Sequence, residues 1–65
     1  MGTDISEDQL RVRPLRDVAR RAGLSLSTLR RLIREGSGPR TVRLSERRLG
    51  VVERDFAKWL EARAS

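Results

Sequence analysis

A chain of 65 residues makes one domain at most, and at that size folding buries only about 60% of the surface the unfolded chain exposes. With no cysteine and no histidine, neither a disulfide nor a thiolate or imidazole metal site reinforces so small a core, and there is no imidazole base and no thiol nucleophile for catalysis. A net charge of +6 points to a phosphate-rich partner.

The distribution of charge says more than its sum. Residues 1–10 carry Asp4, Glu7 and Asp8 without a base. Residues 11–49 carry twelve arginines against Asp17, Glu35 and Glu46, a local balance of +9, and residues 50–65 are neutral. Solubility alone is served by mixed signs rather than a one-sided excess. Arginine makes up fourteen of the fifteen basic residues. That bias fits bidentate recognition of phosphate and guanine, and it equally fits a G/C-rich coding sequence.

Residues 1–13 mix acids with small polar residues, lack helical periodicity and read as a flexible N-terminal arm, with the domain expected over 14–65. Pro14 can open a helix but not sit inside one. Leu15, Val18, Ala19 and Ala22 then recur at helical spacing, with Arg16, Asp17, Arg20 and Arg21 forming a basic outer face. Gly23 stops this helix through a left-handed cap. Ser25 is a good N-cap for the next, with Leu24 and Leu29 spaced as a hydrophobic staple, although Thr28 stands where a capping box needs Glu or Gln. Leu29, Leu32 and Ile33 make its apolar stripe and Gly36 its end. Gly36-Ser37-Gly38-Pro39 is a loop by composition. Arg40–Leu44 and Arg48–Val51 alternate around Ser45-Glu46-Arg47 and read as a β-hairpin lacking the Asn-Gly turn signal. Val52, Phe56, Trp59 and Leu60 predict a last helix from about Glu53 to Arg63, with both aromatics sharing a core face with Leu60.

Two short helices around a three-residue, glycine-bearing turn describe a helix-turn-helix. Val18, Ala22, Leu24, Leu29 and Leu32 are expected between the helices, and the small Ala19 lets them cross closely. The second helix then presents Ser27, Thr28, Arg30, Arg31 and Arg34 outward. A helix of this kind fits a major groove about 12 Å wide. The expected roles are base readout for Ser27, Thr28 and Arg31, base or phosphate contacts for Arg30 and Arg34, and a phosphate on Ser25 and the first-turn amides. Leu26 is read as core, with a thymine methyl as the alternative partner. Arg40, Arg43, Arg47 and Arg48 lie on or beside the hairpin, which would act as a wing approaching phosphates or the minor groove. The expected fold class is thus mainly α with a small β-hairpin, a winged helix-turn-helix.

The stretches LRDVARRAGLSLSTLRRLIREG, GPRTVRLSERRLG and DFAKWL, in this order, resemble the AlpA-like regulators and phage excisionases. These are small winged helix-turn-helix proteins distantly related to the MerR DNA-binding domain, and the likeness covers about residues 14–62. The resemblance implies DNA contacts by Ser27, Thr28, Arg30 and Arg31 and wing contacts by Arg47 and Arg48. It implies transcriptional control of a mobile element or directional control of its excision. In the second role copies bind side by side, bend the DNA and assist an integrase. Two positions depart from the family pattern: Leu26 stands for a usually polar residue, and Val51 for a commonly aromatic one.

The expected partner is double-stranded DNA, with self-association that is cooperative on DNA. No enzyme activity, cofactor, metal, small-molecule ligand or membrane contact is expected. The N-terminus shows neither a basic n-region nor an apolar h-region, so the expected location is the bacterial cytoplasm, associated with the nucleoid. Single-stranded RNA binding would call for exposed aromatics. The DNA-recognition domain of a phage packaging subunit shares the winged fold, and a basic protein-interaction module is the remaining alternative.

Overall fold

The computed structural model describes residues 7–64. In chain order the elements are α1 (Glu7–Leu10), β1 (Val12–Pro14), α2 (Leu15–Ala22), α3 (Leu26–Arg34), β2 (Val42–Ser45), β3 (Arg48–Val52) and α4 (Glu53–Ala64). The chain is mainly helical with a small three-stranded antiparallel sheet, an arrangement compatible with a small helix-turn-helix-type domain.

Local chemistry sets both ends of the α2–α3 pair. Pro14 sits at φ −67° and ψ 155°, extended enough to close β1 and correctly fixed in φ to precede a helix. Gly23, at φ 75°, takes the left-handed conformation that ends α2. Its N–H donates to the carbonyl of Arg20 at 3.1 Å and that of Leu24 to Ala19 at 2.9 Å, the paired bonds of a Schellman motif. The Ser25 hydroxyl accepts from the Thr28 amide at 3.1 Å and so caps α3. Gly36 repeats the Gly23 solution at the far end of α3: its own N–H reaches Ile33, and that of Ser37 reaches Leu32 at 2.8 Å.

The core draws three residues from α2, one each from α3 and β3, and two from α4. Leu15, Val18, Ala19, Leu29, Val51, Phe56 and Trp59 are buried together, and Ala22, Leu24, Leu26, Leu32, Ile33 and Leu49 pack against them. The expected interhelical set is therefore in place, and Leu26 joins its edge. Val51 is fully buried. The Trp59 indole donates to the Ser37 carbonyl at 2.9 Å, which ties the loop after α3 down onto α4. Leu60 departs from expectation. It is exposed rather than part of the core, because Phe56 and Trp59 alone fill the stripe that α4 turns inward.

Two expectations about the strands are corrected. The hairpin is not a free two-stranded unit: β3 is the middle strand of the order β1-β3-β2, with Val12 opposite Val52, Arg13 opposite Val51 and Pro14 opposite Gly50. Residues 7–14, assigned to the arm and the helix entry, therefore include a helical turn and an edge strand, and Val52 belongs to β3 rather than to the last helix. The rest of the expected arm, residues 1–6, lies outside the described residues. Gly50 is what lets β1 approach. A Cβ there would stand 2.5 Å from Val12 Cγ1 and 3.0 Å from the Arg13 carbonyl oxygen.

The sheet also uses its alternation differently from the pattern expected of Val42 and Leu44. The central strand buries Val51 against the helices, and register places Arg13 and Arg43 on that face. Val42, Leu44, Val12 and Val52 share the opposite face, where Leu44 is more than half exposed. The β2–β3 turn closes from Ser45 to Arg48 without any left-handed residue, and a register shift between Arg43 and Ser45 accommodates it.

Candidate nucleic-acid interface

Helical geometry groups the outward residues of α3. Ser27, Arg30, Arg31 and Arg34 stand at positions i, i+3, i+4 and i+7, one continuous stripe, and all four are exposed. The stripe lies opposite Leu29, which anchors the helix in the core with no exposed surface. Thr28 falls beside it and is half-buried. Its hydroxyl accepts from the Ser25 hydroxyl at 2.8 Å, so the two residues form one capping unit at the start of the helix.

The stripe continues onto the hairpin through a concavity of about 360 Å³. Its lining includes the apolar Leu15, Leu26 and Leu49 and the exposed Arg30 of α3, Arg47 of the β2–β3 turn and Arg48 at the start of β3. A shallower hollow of about 230 Å³ beside it adds Arg34 to Arg30 across Leu15, Ile33 and Leu49. Among the expected site residues, Arg30, Arg34, Arg47 and Arg48 are thus brought together around α3 and the turn. Ser27 and Arg31 extend the same surface along α3.

Arg40 and Arg43 are exposed but line neither hollow. Arg43 instead donates a long hydrogen bond, 3.5 Å, to the Glu46 carbonyl and braces the turn. Two residues of α2 that the sequence reading gave no binding role, Arg16 and Arg20, do line the larger concavity. The one available signal was their i, i+4 spacing directly after Pro14, which places both on a single side of α2.

Charge compensation divides the arginines sharply. Glu53, at the start of α4, meets Arg13 of β1 at 3.1 Å and Arg21 of α2 at 2.9 Å. Its backbone N–H also donates to the Arg11 carbonyl at 2.8 Å. Burial works to raise the Glu53 carboxyl, but the hydrogen bonds and charges of Arg13 and Arg21 outweigh it and hold the group below its ordinary value. Arg21 also stacks over Phe56, its guanidinium carbon 4.8 Å from the ring centroid. Arg20 reaches Asp17 at 3.6 Å on the exposed side of α2. Among the described residues, no carboxylate lies within ion-pair distance of Arg30, Arg31, Arg34, Arg40, Arg43, Arg47 or Arg48. These cations keep their field directed at solvent, as a surface for a polyanion requires.

Among the described residues no cluster of acids could hold a metal ion, and no helix is long and apolar enough to cross a membrane.

A family model described as prophage CP4-57 regulatory protein (AlpA) matches residues 11–64, a span that takes in β1, both short helices, the hairpin and α4. Nothing matches among curated proteins, and nothing among solved structures. With nearly the whole chain inside that match, the protein belongs to the AlpA family of prophage regulatory proteins.

Proposed function

We propose that this AlpA-family chain is a sequence-specific double-stranded DNA-binding regulator of a mobile element, built as a winged helix-turn-helix. The observation that carries this reading is the uncompensated stripe Ser27-Arg30-Arg31-Arg34, continuous with Arg47 and Arg48 across one concavity. In this reading α3 enters the major groove. Ser27 and Arg31 reach base edges, Arg30 and Arg34 reach bases or flanking phosphates, and the capped start of α3 at Ser25 and Thr28 faces a phosphate. The β2–β3 turn is the wing, its Arg47 and Arg48 on the backbone with Arg40 and Arg43 flanking them.

The family description, a prophage regulatory protein, favours a regulatory role. An excision role uses the same contacts, on an array of direct repeats and with an integrase as partner.

A gel-shift titration against random duplex and against the chain's own upstream region, at two salt concentrations, tests the reading. Expected are salt-sensitive binding to both and tighter binding to the upstream region. One discrete complex fits a single operator, whereas a ladder fits side-by-side copies at an excision site. Arg31→Ala is expected to cost about 1–3 kcal/mol on the preferred site and to relax the preference. Equal loss on specific and random DNA would contradict the base-reading role of Arg31.

A further inference from the structure

Arg16 and Arg20 come from the helix that precedes the reading helix, yet they share a concavity with Arg30 of α3 and with Arg47 and Arg48 of the hairpin turn. Five arginines from α2, α3 and the hairpin line this concavity together with Leu15, Leu26 and Leu49, and Asp17 is the one acidic residue in its lining. Arg16 has no carboxylate within ion-pair distance among the described residues, and Arg20 has Asp17 at 3.6 Å. Both side chains of that pair are solvent-accessible, the Arg20 side chain 74% and the Asp17 side chain 37%, so the pair is weak and open to exchange.

We infer that this concavity is a seat for a DNA backbone phosphate, in which Arg16 and Arg20 of α2 act with Arg30, Arg47 and Arg48, and that Asp17 holds its affinity down. The inference rests on the duplex-DNA reading above and adds residues and a tuning group to it. A phosphate presents several acceptor oxygens, and guanidiniums arriving from different directions satisfy them with charge-assisted, paired hydrogen bonds. The five like charges repel one another until an anion joins them. One carboxylate lessens that repulsion in the free protein, but it also repels the incoming phosphate. Arg20 exchanges Asp17 for the phosphate on binding. Because the cations belong to α2, α3 and the β2–β3 turn, a seated phosphate also fixes the hairpin relative to the helices.

The contribution of Arg20 has two readings that Asp17 separates. If Arg20 served only to pair with Asp17 within α2, removing either partner would have the same effect. If both line a phosphate seat, removing the cation weakens binding and removing the carboxylate strengthens it.

The test is fluorescence anisotropy of the full chain on a random-sequence duplex across a salt series, with thermal melting of each variant in parallel. Arg16→Ala and Arg20→Ala are each expected to weaken binding severalfold and to reduce the slope of log K against log salt by about 0.9, the value for one lost phosphate contact. Asp17→Asn is expected to bind more tightly than the parent chain. Parent-like affinity and slope in both arginine variants would overturn the inference while leaving the DNA reading intact. So would weaker binding by Asp17→Asn, which would assign the arginine effects to helix structure. Failure of the parent chain itself to bind duplex would overturn the DNA reading, and this inference with it.

Discussion

Two groups of arginines in this chain have the same chemistry and different surroundings. On one side Arg13 and Arg21 converge on Glu53, and Arg21 also covers the Phe56 ring, so charge joins β1, α2 and α4 where the small core ends. On the other side Arg30, Arg31, Arg34, Arg47 and Arg48 have no described carboxylate within reach and face solvent from α3 and the turn. The difference teaches that an excess of +9 over residues 11–49 is not a uniform binding surface. Part of it holds the fold together through Glu53, and the remainder faces solvent, where we propose that it meets a polyanion. Sequence position does not separate the groups: Arg20 and Arg21 are neighbours, yet one lines the concavity and the other meets Glu53.

The largest expected effect comes from reversing a charge in the open group. Arg30→Glu places a carboxylate in the concavity and is expected to weaken duplex binding by on the order of 3 kcal/mol, read by anisotropy at low salt. Its melting temperature should stay close to the parent value, because Arg30 is exposed. A large drop in melting temperature would mean that the open group is structural after all.

Next comes the compensated group. Glu53→Gln is expected to lower stability at pH 7 by about 1 kcal/mol, the screening of its accessible guanidinium partners keeping the value modest. The pH dependence follows from the direction of the Glu53 shift. Its carboxyl is a stronger acid when folded than the ordinary value of 4.5. Its contribution is therefore whole above about that pH and is lost as the pH falls through the folded value. Melting curves at neutral and acid pH should show the parent and Glu53→Gln converging on acidification. A gap that stays constant would remove Glu53 from the account of acid sensitivity.

Smaller still, Arg47→Ala is expected to weaken binding to all sequences alike and to flatten the salt slope by about 0.9. A selective loss on the preferred site would move Arg47 from backbone contact to base reading. At the low end, Lys58→Ala on the exposed side of α4 should leave both melting and DNA binding unchanged within about 0.5 kcal/mol. A clear loss of DNA binding would extend the interface to a helix outside both groups.

What was legible in the sequence is what a single helical turn or reverse turn encodes. The left-handed stops at Gly23 and Gly36, the Ser25 cap and the apolar spacing of Leu29 and Leu32 are local, so the α2–α3 pair could be read directly. So could the hairpin and the start of α4. The hidden features all depend on residues far apart in the chain. A three-residue strand ending in proline carries no alternation to detect, and β1 exists because Val12 finds Val52 forty positions later. Long separation likewise hides the Arg13–Glu53 pair, forty positions apart, and the Trp59–Ser37 hydrogen bond, twenty-two apart. The candidate site divides in the same way. The α3 stripe follows from helical spacing, whereas the approach of Arg16 and Arg20 to Arg47 and Arg48 depends on how the sheet docks against α2.

The most direct test of the central claim compares Arg21→Ala with Arg31→Ala in melting and in duplex affinity, the latter measured at a temperature where both are folded. The account predicts a double dissociation: Arg21→Ala melts earlier and binds DNA like the parent, whereas Arg31→Ala melts like the parent and loses affinity for the preferred site. If Arg21→Ala lost as much DNA affinity as Arg31→Ala, the division of the arginines into a structural group and a binding group would be wrong.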